Sequence, residues 1–531
     1  MPSDFSAFNP MFPARTWRLK MRSAFSQFGD MFSEFGKNIA PTYYHDRCER
    51  SVQMRLYTMH KREFVLAISG FFATFGLFVF IGLAGPPITK TITINATNLN
   101  PKLNHSQMAT GPFILRSPVV STFSQQLWVI ARIVLKHRDD ERFNKPFHIA
   151  VTIHGVSDQN KIVVVLGSQH NHNRTRELHC FNSICEEFTI LHLGFLDYAH
   201  YIITVNFYGL ERIEENYNVK DVVFYFKTYN PSFTKIEIWF RCIFIVLTFA
   251  TSCWFAYSLR FFYFFDWSIE QKWISVLLPL LVLYNDPVFP LSFLVNSWVP
   301  GMLDAMFQAT FLCALLLFWL CIYHGIRQNE RSFSKFYLPK CIIIGLLWLS
   351  AFTLASWQKY NELRDPTYNY KVDTGHFMGF KVFFFIIGSV YLIYLFYLIT
   401  RAYTELRSMP YFDVRLKFLT ILMIIVLSIS IAITVLRFGI SVLQDNFVAE
   451  LSTNYGSSAE FMSFYSLLNF YLVTMAYVYA PPRGAFFETR VKDNPTLSMI
   501  NDSDEEVIYA SDSENRPLNP IRKSPDKEES D

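Results

Sequence analysis

Phe64-Val-Leu-Ala-Ile-Ser-Gly-Phe-Phe-Ala-Thr-Phe-Gly-Leu-Phe-Val-Phe-Ile-Gly-Leu-Ala-Gly85 is an apolar run with no charged residue. At about 1.5 Å of rise per helical residue it matches a hydrocarbon core about 30 Å thick. Residues 86–235 are then polar enough to fold in water. Seven more apolar runs follow with no comparable gap: 236–259, 273–294, 303–325, 337–357, 376–400, 418–440 and 461–480. The pattern predicts a polytopic α-helical membrane protein with eight spans, one before the insert and seven after it. Residues 1–63 and 481–531 flank this body.

Composition agrees, with 51% of the 531 residues hydrophobic and 18% aromatic. The first apolar run begins too late for a cleavable secretory signal, so it reads as a signal anchor. Arg47, Arg50, Arg55, Lys61 and Arg62 precede it, which places the N-terminus in the cytosol by the positive-inside rule. Basic residues recur in alternate short loops: Arg260 and Lys272, then Arg327, Arg331, Lys335 and Lys340, then Arg401, Arg407, Arg415 and Lys417. The other loops hold Asp365, Asp373, Asp445 and Glu450. Both termini are therefore expected in the cytosol, and the insert in a lumen or outside the cell.

The insert carries strand signals at 126–135, 147–153, 162–166, 201–207 and 222–228, rich in β-branched and aromatic residues and separated by polar turns. Short strands at this spacing predict an antiparallel β-sandwich. Asn95, Asn104 and Asn173 head acceptor sequons for glycosylation. Cys180 and Cys185 are the only cysteines of the insert, and in an oxidising compartment they are expected to pair.

Two segments outside the spans carry signals of their own. Met21, Phe25, Phe28, Phe32 and Phe35 fall on one helical face, fitting a helix that lies on the inner leaflet or docks on the protein's own loops. The tail is acidic and serine-rich. Ser503, Ser511 and Ser513 precede acidic residues, the setting of acidic-directed phosphorylation. Such a tail can engage cytosolic sorting adaptors or simply keep the chain soluble.

Charged groups in a membrane are costly, which draws attention to Asn285 and Asp286 in the third span, just before Pro287. Proline opens a helix, and open backbone at that depth lines protein or water. A polar cavity facing the lumen is the functional reading, with Lys381 or Arg437 as the countercharge. The plain reading is a loop aspartate with both cations reaching the interface. Glu237 and Arg241 read as a local helix pair, Asp304 as a helix N-terminal acid, and His324 as structural. No enzyme signature occurs: there is no His-Glu-x-x-His, Walker loop, Gly-x-Ser-x-Gly or Cys-x-x-Cys. His170 and His172 lack a third metal ligand, and nothing indicates a cofactor or nucleic-acid binding.

Longer stretches carry a resemblance. Tyr229-Asn-Pro231, Glu237-Ile-Trp-Phe-Arg241, Asp266 to Trp273, Asn285 to Asp304 and Phe311 to Arg327 are among them. So are Leu443 to Leu451 and Asn501 to Tyr509. Over most of residues 50–510 the chain resembles the transmembrane protein 181 family, which groups with Wntless-like proteins. The resemblance implies a luminal domain similar to the Golgi-dynamics β-sandwich joined to a seven-helix bundle. In Wntless these parts hold a lipid-modified secreted protein. The resemblance is one of architecture, so no cargo-binding residue is carried over.

Three functions fit. The first is a non-enzymatic carrier or sorting receptor of the secretory pathway, in Golgi, endosomal or plasma membrane, for a luminal or extracellular protein or lipidated ligand. The others are a seven-helix signalling receptor and a lipid or small-molecule transporter. Against them stand the missing Asp/Glu-Arg-Tyr and Asn-Pro-x-x-Tyr motifs and the lack of an internal repeat.

Overall fold

The structure, a computed structural model, describes residues 52–482 apart from residue 53 and the segments 100–104, 137–142, 158–160, 167–173, 182–183, 212–218, 326–332, 369–372, 374–377, 407–409 and 439–455. The predicted aromatic helix at 21–35, Asn104, His170, His172, Asn173, Ser503, Ser511 and Ser513 lie outside the described residues. So do the side chains of Lys381 and Arg437, although both backbones are helical.

Among the described residues eight helices are long and apolar enough to cross a membrane. They are carried by α1 (Lys61–Leu83), α2 (Pro231–Leu259), α3 (Ile269–Tyr284), α4 (Val299–Gly325), α5 (Leu338–Arg364), α6 (Met378–Leu406), α7 (Pro410–Phe438) and α8 (Ser458–Tyr479). Local chemistry sets several ends. Asn230 accepts from the Ser232 amide and Pro231 takes the first helical position, so α2 starts at once after the β-domain. Ser268 and Gln271 form a reciprocal capping box that starts α3.

The third span breaks near Pro287 rather than at Pro279, which sits inside α3. Asn285 caps the helix, and Asp286 takes a left-handed backbone with φ of 54°. Proline disfavours a helical residue before it, and Asp tolerates the left-handed region better than most residues. A 3-10 turn, Phe289–Phe293, completes the span. At the fifth span, apolar sequence predicts an end at residue 357, but α5 continues to Arg364. Its added turns bury Gln358 and Glu362 and approach the β-domain at Gly194.

Ten strands build the β-domain: β1 (Thr89–Asn95), β2 (Phe113–Arg116), β3 (Leu127–Leu135), β4 (Phe143–Val156), β5 (Ile162–Leu166), β6 (Arg174–Phe181), β7 (Ile184–Cys185), β8 (Phe188–Leu193), β9 (His200–Tyr208) and β10 (Val219–Tyr229). All pairs are antiparallel. One layer runs β1-β10-β3-β8 and the other β2-β9-β4-β6, with β5 on the far half of β4. Short β7 bonds to both β3 and β6 and joins the layers at one edge. Alternation along β3 buries Leu127, Val129, Ala131, Ile133 and Leu135. Rings meet between the layers, with Phe113 of β2 at 5.2 Å from Phe224 of β10 and Phe147 of β4 at 5.1 Å from Phe188 of β8. Cys180 and Cys185 are disulfide-bonded across the β6–β7 turn. Asn95 ends β1, half-buried.

α1 enters the β-domain through β1, and β10 leaves it into α2, so both ends of the domain are tied to the membrane helices. α1 packs on α8 through glycine. A Cβ on Gly82 would sit 2.5 Å from the Ala459 Cα. At the opposite end of the bundle Met54 is buried, and the Arg55 amide donates to the Ala480 carbonyl.

Candidate functional site

Helical spacing puts Glu237 and Arg241 one turn apart on α2, near the β-domain. The break after α3 turns Asp286 toward them, and Asp304 comes from the first turns of α4. Arg241 Nη2 donates to Glu237 Oε1 at 3.0 Å. Its Nη1 donates to Asp304 Oδ1 at 3.3 Å and lies 3.7 Å from Asp286 Oδ2. Gln308 Nε2 donates to Asp304 Oδ1 at 2.7 Å. The guanidinium also lies 4.1 Å from the Phe289 ring centre, a cation–π distance. One cation thus serves three carboxylates from three successive spans.

The β-domain completes this site. Gln125 Nε2 donates to Glu237 Oε2 at 3.2 Å and to Thr234 Oγ1 at 3.0 Å. Between domain and bundle lies a cavity of about 150 Å³. Its walls include Gln125, Gln126 and Phe195 from the β-domain and Glu237, Arg241, Asp286, Trp298, Asp304, Lys359 and Glu362 from the bundle.

A second contact lies beside it, on the α5–α6 connection. Arg176 grips Asp373 through both terminal nitrogens at 2.9 and 3.2 Å and donates to the Thr367 carbonyl at 2.9 Å. Arg174 pairs with Asp365. Burial opposes ionisation of Asp365, yet hydrogen bonds from Thr367 and Arg174 outweigh it and hold this carboxyl below its ordinary range. The His192 amide donates to the Pro366 carbonyl at 2.7 Å.

Comparison with known proteins follows the same division. Residues 230–483 match the family model for the Wntless-like transmembrane domain, and residues 111–229 match the TMEM181 GOLD domain. Human Transmembrane protein 181 is 54% identical over 468 residues, covering 88% of this chain and 95% of that protein. The chain belongs to the transmembrane protein 181 family. The border between the two matches falls at Asn230, the residue that caps α2.

In this family member the two residues singled out in the third span have different surroundings. Asp286 faces the cavity, with Arg241 as its neighbouring cation. Asn285 turns inward and exchanges hydrogen bonds with Asn469 of α8, at 2.9 and 3.0 Å, while donating to Thr248 of α2 at 3.2 Å. From sequence, Glu237 and Arg241 read as a local helix pair, which the structure contains, and Asp304 as a separate helix N-terminal acid. The signal that could have joined them is their common place at one end of three successive spans. Gln125 carries no such signal, because its role depends on how the β-domain docks.

Proposed function

We propose that this protein is a non-enzymatic carrier or sorting receptor of the secretory pathway, taking its ligand on the luminal or extracellular face. One observation carries the reading. The polar cavity draws its walls from both the β-domain and the bundle, so a ligand on the domain also meets charged groups held in the membrane. Membership beside Wntless-like proteins supports it at the level of architecture. The acidic tail, with Ser503, Ser511 and Ser513, supplies a cytosolic segment for sorting adaptors.

The test is affinity purification of the full chain from cells, with associated protein and lipid both identified. A carrier brings down a luminal or secreted ligand, and Asp286→Asn loses it while the protein stays folded. Ligand-dependent coupling to G proteins, without transport of the ligand between compartments, would move the assignment to a signalling receptor.

A further inference from the structure

We infer that the seam cavity recognises a single basic residue of a luminal polypeptide, holding its cationic head between Glu237, Asp304 and Glu362. The inference rests on the capture reading and names the chemistry captured. Four carboxylates line the cavity, those of Glu237, Asp286, Asp304 and Glu362, against the two cations Arg241 and Lys359. Lys359 is engaged with Glu362 at 3.4 Å, and Arg241 is shared among the other three. Surplus carboxylate away from water is costly unless a proton or a cation joins it, and a positive guest is the second of these routes.

Size narrows the guest. Small-molecule pockets commonly run roughly 300–1,000 Å³. At about 150 Å³ this one suits one amino-acid side chain better than a cofactor or an acyl chain. Trp298, Tyr229 and Phe195 provide apolar wall for an aliphatic stem. Among the described residues no three acidic, histidine or cysteine side chains come close enough to form a metal site, and the guest inferred is an organic cation.

Arg241 supplies an independent sign of a missing guest. Its side chain is 95% buried, yet Nε has no hydrogen-bond acceptor among the described residues. A buried donor left unmade is costly, so a guest whose peptide carbonyl reached Nε would gain by satisfying it. A phospholipid headgroup would also bring an ammonium, but its phosphate would enter a cavity already rich in carboxylate. A polypeptide carries no such charge.

The experiment uses the full chain in lipid nanodiscs. The probes are acetylated, amidated glycine pentapeptides with lysine, arginine, glutamine or glutamate at the centre, followed by saturation-transfer NMR and competition. Lysine and arginine peptides should bind about tenfold or more tightly than the glutamine peptide, and the glutamate peptide should not bind. Asp304→Asn and Glu237→Gln should each erase most of that preference. Gly301→Leu provides a variant that leaves every charge in place. A Cβ there meets only Lys359 carbons at 3.5 and 3.7 Å, and the longer side chain fills the cavity and should block binding. Equal binding of lysine and glutamine peptides overturns the inference. So does unchanged binding by folded Gly301→Leu, or stronger competition from glycerophosphoethanolamine than from the lysine peptide. If a cellular ligand still co-purifies and is lost with Asp286→Asn, the carrier reading survives that failure. If neither ligand nor probe binds, both fall.

Discussion

Arg241 shows how one residue can hold several helices together. Removing its guanidinium leaves Glu237, Asp286 and Asp304 facing one another without a cation, so Arg241→Met should destabilise the protein by about 3–5 kcal/mol. Arg241→Lys should recover only part of that loss, because a point charge cannot bond two carboxylates through a planar fork. Thermal unfolding in detergent, followed by intrinsic fluorescence, compares the two. His192 makes a second residue-scale case. Burial pushes its imidazole pKa down from 6.5, with the Glu362 charge opposing and Lys359 adding to the fall. Its ring stacks on Trp128 at 5.0 Å, and Nε2 donates to Gln126 Oε1 at 3.0 Å. The unfolded chain therefore takes up this proton first. Stability from the neutral ring is complete above about pH 6.5 and falls as pH drops below it. Unfolding midpoints measured between pH 7.5 and 5.0 should slope downward, and His192→Gln should flatten that part of the slope.

At the scale of elements, the helices were legible because each needed only its own apolar length, and no partner had to be known. The break at Asn285–Pro287 was legible too, from proline chemistry. β3, β4, β9 and β10 were legible because strong alternation marks one face as core, and β5 from its β-branched run, although it is exposed and pairs with β4 alone among the described residues. β1, with Thr-Lys-Thr-Ile-Thr-Ile-Asn, buries little and pairs on one side only, while β6 carries Arg174, Arg176 and Glu177. Their pattern is weak because their residues face solvent or the bundle. Helix-on-helix approach gives a sharper prediction. Gly82→Leu should part α1 from α8, because its Cβ would meet backbone atoms that cannot rotate away. Gly76→Ala, where a Cβ meets nothing within 4 Å, should be neutral or slightly stabilising. Cross-linking yield between cysteines introduced on α1 and α8, with unfolding midpoints, separates the two variants.

For the whole molecule, the decisive geometry is the docking of the β-domain on the bundle, and no local pattern could encode it. Asp365 and Asp373 were visible only as acids that mark one side of the membrane. In the fold they receive Arg174 and Arg176, almost two hundred positions earlier in the chain. The cavity needs the docked domain, since Gln125, Gln126 and Phe195 form its walls together with the helices. Arg176 is the better handle: its side chain is 97% buried and bonds both oxygens of Asp373. Arg176→Ala leaves Asp373 half-enclosed without its cation and should loosen the domain by about 3 kcal/mol. The β-domain should stay folded, because its own core of Phe147, Phe207, Phe224 and Phe226 is untouched. Hydrogen exchange should therefore rise at residues 361–368 and 192–196, with the strands of β3 and β10 still protected. The paired swap Arg176→Asp with Asp373→Arg should restore part of the protection, and ligand capture with it. If exchange instead rises throughout β3 and β10, the arginine stabilises the domain itself and the docking role is lost.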